Sequence, residues 1–272
     1  MAAPVLPIGF CSISALDRSL AEAARVAAEA GLDGLEVTAR PPHLDPDAGS
    51  AAARDAGRVV RDHGLEVVCY GAYLGRMGRL TDEHARQDAA LAAALGAPRM
   101  RVWAEPLEQA PGDRTPAVEL IRVACDAAAE HGIDVVVERH LGSFCERPDQ
   151  IEETLAAIDR PNVALNWQVL DNLPPETAPA QPADARRLAA RARYVHLKNF
   201  RFDPATPAHL QFGGAIAAGA FDYRAILREL VGAGYRGPLT IEFLSAEWLP
   251  LEQKLASEAA FIREVLRECG LP

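Results

Sequence analysis

The stretch Asp134–Gly142, DVVVERHLG, indicates both the fold and the place of a site. Residues 135–137 are all valine, a short apolar run typical of a strand buried on both faces. Glu138 follows that run directly, so we expect its carboxylate at the C-terminal end of a strand, which carries the chemistry in parallel α/β proteins. The same construction recurs in Tyr194–Phe200 (YVHLKNF) and Pro238–Phe243 (PLTIEF). Three predicted strands thus end near a polar residue of a ligand type: Glu138, His196 and Glu242.

Short apolar strand patterns alternate with amphipathic helical patterns eight times along the 272 residues, a repeat of about 34 residues that suits a βα barrel unit. The predicted strands are Leu6–Ile13, Gly34–Thr38, Leu65–Tyr70, Arg99–Ala104, the valine run of the opening stretch, Asn162–Trp167, Tyr194–Phe200 and Pro238–Phe243. The predicted helices are Ser19–Ala30, Ala51–His63, Thr81–Leu95, Thr115–His131, Pro148–Ile158, Asp184–Ala192, Asp222–Ala233 and Glu252–Cys269. Pro174–Pro182 and Arg201–Gly219 are predicted loops.

This alternation predicts a parallel α/β fold, and eight units can close a (β/α)8 TIM barrel. A doubly wound sheet is the alternative. The barrel is favoured because candidate functional residues lie on many strands rather than at one switch point. We therefore expect residues 1–272 to form a single TIM-barrel domain.

Composition excludes several classes of protein. A net charge of -10 argues against a nucleic-acid partner, which requires a basic surface. No apolar run reaches the ~20 residues of a membrane helix. The first residues lack the basic region of a signal peptide, so we expect a cytoplasmic protein. The five cysteines are odd in number, are scattered and form no CxxC pair, which argues against disulfide scaffolds and zinc ribbons.

Four pieces of sequence carry a resemblance to a known family, and three of them include or overlap the stretches above. They are ALGAPRMRV in the fourth unit, VVVERH, YVHLKN, and GAFDYRAILRELVGAGYRGPLTIEF across the last unit. The last is the most specific, with Gly219, Asp222, the turn Gly234–Gly237 and then Glu242. From about residue 85 onward the chain resembles the xylose-isomerase-like TIM-barrel superfamily, the sugar isomerase/epimerase and inosose dehydratase group. The N-terminal third agrees in pattern only.

The resemblance implies a divalent metal held by four groups from strands five to eight, usually Glu, Asp, His and Glu. Glu138, His196 and Glu242 match that set, but Gln168 stands where the family usually has aspartate. Gln168 offers a carbonyl oxygen but removes one negative charge, which weakens the binding of a hard cation. Three outcomes stay open: the site tolerates Gln168, Asp171 takes its place, or the metal has been lost. Mixed carboxylate, amide and imidazole ligands suit Mn²⁺ best, with Mg²⁺, Co²⁺ or Zn²⁺ as alternatives.

Other residues are candidates for substrate binding. Lys198 alternates with His196 along one strand, so both side chains should point to the same side, where an ammonium group can stabilise a substrate oxyanion. His140 alternates with Glu138 in the same way, and the resemblance suggests a substrate-binding role for Arg201. Aromatic residues near strand ends could stack on a sugar: Trp103, Tyr70, Trp167 and Tyr73. Weaker candidates are Glu36 and Glu105.

Each of these residues also has a purely structural interpretation. The two glutamates could form buried ion pairs with an arginine such as Arg139, because a buried carboxylate is unfavourable without a partner. Lys198 could neutralise Glu138 or Glu242, and His140 could anchor a loop. The aromatic residues could be ordinary core side chains.

The expected function is a metal-dependent isomerase or epimerase that acts on a carbohydrate or polyol. A metal-stabilised enediolate would form on proton loss, with Glu138 and Glu242 as the acid and base. A dehydratase or lyase that uses the same site is the first alternative. A sugar-binding barrel or partner subunit without metal is the second. The endonuclease IV branch of the superfamily is disfavoured by the net charge and by too few histidines. Barrels of this kind often dimerise, so a homodimer is an open expectation.

Overall fold

Eight parallel strands close into a barrel in the order β1-β10-β7-β6-β5-β4-β3-β2, which confirms the predicted (β/α)8 TIM barrel. The computed structural model describes residues 6–106, 112–170, 175–202, 210–243 and 249–271. The barrel strands are β1 (Ile8–Cys11), β2 (Gly34–Thr38), β3 (Glu66–Gly71), β4 (Arg99–Val102), β5 (Asp134–Glu138), β6 (Val163–Trp167), β7 (Ala192–Leu197) and β10 (Leu239–Ile241).

The helices that surround the barrel follow the predicted pattern, except that the sixth, predicted over Asp184–Ala192, begins and ends earlier. They are α1 (Leu20–Glu29), α2 (Gly49–Asp62), α3 (Asp82–Leu95), α4 (Thr115–Ala129), α5 (Pro148–Ile158), α6 (Gln181–Leu188), α7 (Tyr223–Gly232) and α8 (Leu251–Glu268). Thr81 caps α3, since its side chain accepts a hydrogen bond from the backbone N–H of His84. Within the described ranges, no helix is both long and apolar enough to cross a bilayer.

Two predicted loops differ from the structure. Arg201–Gly219 was expected to be a loop, but β8 (Asn199–Phe202) and β9 (Leu210–Gly214) pair antiparallel as a separate two-stranded sheet. The chain therefore leaves the barrel near Lys198 rather than at Phe200. Pro175–Ala180, inside the predicted loop Pro174–Pro182, forms a 3-10 helix that leads directly into α6.

The hydrophobic interior has two parts, which follow from side-chain alternation along each strand. Val135 and Val137 belong to the large core between the barrel and the helices. Val136 belongs to a small separate cluster with Val68, Cys69, Ala164 and Tyr194. Because Glu138 shares its strand face with Val136, its side chain enters the barrel above this apolar floor.

Candidate active site

The C-terminal ends of four barrel strands gather the predicted metal ligands. Glu138 ends β5, Gln168 follows β6, His196 lies on β7 and Glu242 follows β10. All four side chains are buried, as is Lys198, which follows β7. Gln168 Nε2 lies 2.8 Å from Glu138 Oε1, and His196 Nδ1 lies 3.5 Å from Glu242 Oε2. The structure thus brings these residues together, while their roles stay predictions.

Arg101, which the sequence analysis did not single out, lies at the centre of the group. Its Nε donates to Glu36 Oε1 at 2.9 Å, and its Nη1 donates to Glu138 Oε2 at 2.6 Å. The guanidinium is 2% exposed, so both ion pairs are shielded from water. Arg101 therefore joins a carboxylate of β2 to one of β5 across the barrel.

Glu36 lies deeper in the barrel and accepts hydrogen bonds from other strands. Its Oε2 lies 2.6 Å from His196 Nε2 and accepts the Tyr194 hydroxyl proton at 2.8 Å. Burial raises the pKa of Glu36, but the charges of His196 and Arg101 outweigh this and hold the pKa well below its ordinary value. Burial alone would lower the pKa of His196, but Glu242 and Glu36 raise it above its ordinary value. Glu36, a weaker candidate in the sequence, is thus ionised and links His196, Tyr194 and Arg101 inside the barrel.

The close approach of these groups depends on Gly71, the last residue of β3. A Cβ atom at this position would lie 2.6 Å from Glu36 Oε1 and 2.8 Å from Arg101 Nη2. Both separations are shorter than real side-chain contacts allow. Gly71 therefore provides the space in which the Glu36–Arg101 pair forms.

Each of the two predicted acid/base carboxylates has a buried cation beside it. Lys198 Nζ lies 3.2 Å from Glu242 Oε2, and Arg101 contacts Glu138. Burial raises the pKa of Glu138, but Arg101, His196 and Lys198 lower it by more, so the pKa lies below its ordinary value. Glu138 is consequently ionised at neutral pH. Arg139, expected as an alternative partner, pairs instead with Asp184 at 3.0 Å.

The predicted ligand set does not fit one divalent ion in this arrangement. Both Glu138 oxygens accept hydrogen bonds, and Gln168 directs its amide nitrogen, not its oxygen, at Glu138. The same nitrogen donates to the Arg139 carbonyl at 2.7 Å, which fixes that orientation. The Gln168 side-chain oxygen, Oε1, is buried and accepts no hydrogen bond from the described residues. A cation requires oxygen donors that converge, whereas here the nearest groups to the carboxylates are cations and an amide N–H.

A different group is spaced closely enough to hold an ion. Among the described His, Cys, Asp and Glu side chains, the ligand atoms of Cys11, Glu36 and His196 all lie within 4.8 Å of one another. Burial and the charge of Glu36 raise the pKa of the Cys11 thiol well above its ordinary value, which keeps the sulfur protonated. The Glu36 oxygens already contact Arg101, His196 and Tyr194. This group is thus close enough to hold an ion, but its Glu36 and His196 atoms already contact other protein groups.

A cavity of about 250 Å³ opens above these residues at the mouth of the barrel. Glu138, Lys198, Glu242 and Arg101 form its floor, and His140 and Trp103 line its wall together with Tyr73, Arg76, Arg40, Ile13 and Met77. His140 Nδ1 lies 2.9 Å from the Leu141 carbonyl, and its Nε2 lies 3.0 Å from Arg76 Nη1. The two acid/base candidates therefore line one half-open cavity that is large enough for a small sugar.

Some predicted binding residues lie away from this cavity. Tyr70 and Trp167 are fully buried in the large core, and the Tyr70 hydroxyl donates to Asp88. Arg201 lies on β8 with an exposed side chain and does not line the cavity. Glu105 pairs with Arg76 at 3.0 Å on the rim. Asp171, the alternative ligand, lies outside the described residues.

A signal for Arg101 was present in the sequence. In RMRV of β4, charged residues alternate with apolar ones, and Arg101 shares its strand face with Trp103. A charged residue within a strand of a parallel barrel points into the barrel or toward its mouth, since the other face packs under helices. The rim arginines Arg40 and Arg76 had no comparable signal, because they lie on loops.

Comparison with known proteins agrees with this architecture. Residues 24–265 match the family described as xylose isomerase-like TIM barrel. An inosose dehydratase from Geobacillus thermodenitrificans is 27% identical over 158 residues, 54% of this chain and 51% of that protein. The match thus spans about half the length of that relative.

Solved structures share the fold at low sequence identity. A xylose isomerase-like TIM barrel protein from Mycobacterium smegmatis in complex with magnesium has a TM-score of 0.76 and 21% identity, over 97% of each chain. A D-allulose 3-epimerase from Methylomonas sp. in complex with D-allulose has a TM-score of 0.70 and 18% identity, over 97% of this chain and 99% of that one. Relatives with this fold thus include a dehydratase, an epimerase and a magnesium complex.

Proposed function

Because the chain belongs to the xylose isomerase-like TIM-barrel family, we propose that it is an enzyme that moves a proton beside the carbonyl group of a small carbohydrate or polyol. One observation carries the proposal. Glu138 and Glu242 come from different strands, face the same cavity, and each has a buried cation within 3.2 Å. Two carboxylates and two cations on one small cavity match the needs of general acid/base catalysis through an oxyanion.

The proposed reaction begins with the loss of a proton from the carbon next to the carbonyl. Glu138, which is ionised at neutral pH, accepts this proton; the electron pair of the C–H bond forms a C=C bond, and the π pair of the carbonyl moves to its oxygen. Lys198 and Arg101 stabilise the negative charge on that oxygen. Glu242, which faces the same cavity from another strand, is the group from which a proton is returned. Return to the opposite face of the same carbon, with collapse of the oxyanion to the carbonyl, gives epimerisation. Return to the former carbonyl carbon, while the hydroxyl proton of the first carbon passes to the oxyanion, gives isomerisation.

A dehydratase is the second candidate, and the 27% identity to an inosose dehydratase favours it. The same proton loss would be followed by departure of a hydroxyl group from the β carbon, with a proton supplied to that oxygen by Glu242. The residues required are the same in both reactions. Mass spectrometry separates the two reactions. A product lighter than the substrate by one molecule of water indicates a dehydratase, and a product of unchanged mass indicates an isomerase or epimerase.

The predicted Mn²⁺, with Mg²⁺, Co²⁺ or Zn²⁺ as alternatives, stays a prediction. The four predicted ligands, Glu138, Gln168, His196 and Glu242, do not converge on one ion in this arrangement, so the proposed proton transfer assigns no step to a metal and the metal content is a separate measurement. Elemental analysis of the purified protein before and after treatment with a chelator measures this directly. About one equivalent lost in Glu242→Gln would support the predicted ligand set.

Hydrogen exchange tests the proposed function even when the product is not identified. A panel of ketoses and inososes is incubated with the enzyme in D₂O, and deuterium at the carbon beside the carbonyl is followed by NMR. We expect exchange with at least one compound, and a loss of about 10²–10⁴-fold in Glu138→Gln and in Glu242→Gln. Glu119→Gln is the matched control, since Glu119 forms an exposed pair with Arg122. No exchange with any compound would refute the proposal in favour of a non-catalytic sugar-binding barrel.

A further inference from the structure

One cation at the mouth of the cavity has no carboxylate partner in the described part of the chain. Arg40 follows β2 by two residues, its side chain is exposed, and it lines the same cavity as Glu138 and Glu242. The other cations of this cavity are each paired with a carboxylate: Arg76 with Glu105, Arg101 with Glu36 and Glu138, and Lys198 with Glu242. Among the described residues, no carboxylate oxygen lies within ion-pair distance of Arg40, although this chain carries a net charge of -10.

Arg40 belongs to a continuous stack of arginine and aromatic side chains along one wall of the cavity. Its guanidinium carbon lies 5.9 Å from the centre of the Tyr73 ring, and the Tyr73 and Trp103 rings are 5.1 Å apart. Arg76 lies over Trp103 at 5.4 Å. We name Arg40, Tyr73, Trp103 and Arg76 the arginine wall.

Stacking of this kind prepares a guanidinium to bind an anion. A ring contacts the flat face of the group, so that the N–H donors around its edge remain free for a ligand. For Arg40, the guanidinium carbon lies over the Tyr73 ring, and none of the described residues accepts a hydrogen bond from its N–H groups. Trp103 adds a second unused donor, because its indole N–H is buried and has no hydrogen-bond acceptor within the described ranges. A buried donor without a partner is unfavourable unless a ligand satisfies it.

We propose that the arginine wall binds a carboxylate group of the substrate, so that the substrate is a sugar acid or another polyhydroxy keto acid. This inference rests on the proposed function and narrows its substrate class. A guanidinium edge and a carboxylate are both planar and can form two parallel hydrogen bonds. Glu138 and Glu242 line the same cavity, so they repel the single charge of a carboxylate less than the two charges of a phosphate dianion.

Two probes that differ only in one carboxylate measure the contribution of that group to binding. L-Sorbose and 5-keto-D-gluconate differ only in that a terminal CH₂OH group of the first is a carboxylate in the second. Their dissociation constants are measured by isothermal titration calorimetry at low salt with the wild-type protein, Arg40→Gln and Arg58→Gln. Arg58 is the control because it forms an exposed pair with Asp55 on α2. Thermal unfolding checks that both variants are folded, which we expect because both side chains are exposed.

We expect the wild-type protein to bind the keto acid at least about tenfold more tightly than L-sorbose, as one charge-assisted bidentate contact allows. Arg40→Gln should lose most of this preference and leave the affinity for L-sorbose within about twofold, while Arg58→Gln should change neither. Equal affinities in the wild-type protein, or a preference retained by Arg40→Gln, would overturn the proposal.

The failure of the subsite and the failure of the proposed function give different results. Exchange or binding of a neutral ketose or inosose, with no binding of the keto acid, overturns the carboxylate subsite and leaves proton transfer standing. Tight binding of the keto acid that depends on Arg40, with no C–H exchange on any compound, overturns the enzyme and supports the subsite. A protein that binds neither kind of sugar overturns both.

Discussion

Replacement of Arg101 by methionine is expected to destabilise the protein strongly. Arg101 is 2% exposed and pairs with Glu36 at 2.9 Å and with Glu138 at 2.6 Å. Methionine fills a similar volume but leaves both carboxylates buried without this cation, and loss of one partner from a buried pair costs about 3–5 kcal/mol. At about 2.1 cal/mol/K per residue, the 272 residues give a change in Tm of about 5–9 °C.

Urea unfolding at pH 7 measures this change, with Arg25→Met as the matched control. Arg25 pairs with Glu29 on the surface, so its replacement should change the free energy of unfolding by less than about 1 kcal/mol. The difference between wild type and Arg101→Met should shrink below about pH 4.5, the ordinary carboxyl pKa. The lowered pKa values of Glu36 and Glu138 stabilise the wild type above that pH, and this contribution is lost as the pH falls. A loss below about 1 kcal/mol at pH 7, or one that does not depend on pH, would refute the assignment of Arg101 as the central cation.

Three further changes have defined outcomes. Gly71→Ala should lower the free energy of unfolding in urea by about 1–3 kcal/mol, because its Cβ would clash with the Glu36–Arg101 pair. The control is Gly232→Ala, where a Cβ meets nothing within 4 Å, and it should be neutral or slightly stabilising in the same urea experiment. Gln168→Asp should raise the affinity for Mn²⁺ by at least about tenfold in calorimetric titration, because it adds a carboxylate and removes an amide donor, and an unchanged affinity would contradict this. Burial raises the pKa of Glu258 to about 7, so stability should fall by up to about 3 kcal/mol as the pH rises from 4.5 to 7, and Glu258→Gln should remove this fall in urea unfolding at about pH 5 and 8.

The barrel was predictable from sequence because its strands are short and its units regular. The prediction for β2, Gly34–Thr38, matches the structure at both ends, since turn residues bound a run in which every side chain is buried. The β8–β9 hairpin was missed because NFRF continues the alternation of YVHL without a break. Only the pairing of Arg201 with Gln211 in three dimensions shows that the chain has left the barrel by then.

The gathering of Glu138, His196, Lys198 and Glu242 was also predictable, because parallel strands bring their C-terminal ends together. The cation that pairs with each carboxylate was not predictable. Arg101 lies on β4, yet one of its two carboxylates lies on β2, which is not its neighbour in the barrel. Contacts across a barrel interior depend on side-chain reach and on the space left by a residue such as Gly71, and a sequence pattern fixes neither.

Side-chain alternation decides which aromatic residues face the cavity, and residue type alone does not. Gln168 faces Glu138, so its neighbour Trp167 must face the helices, and the two could not both have belonged to the substrate cavity. The same rule places Trp103 on the face of Arg101, at the cavity, where its ring lies 4.2 Å from the Arg101 guanidinium carbon. An aromatic ring against this guanidinium also excludes water from the Glu36 and Glu138 pairs, and ion pairs without water are stronger. Trp103 therefore links the floor of the cavity, where proton transfer is proposed, to the arginine wall, where the substrate carboxylate would bind.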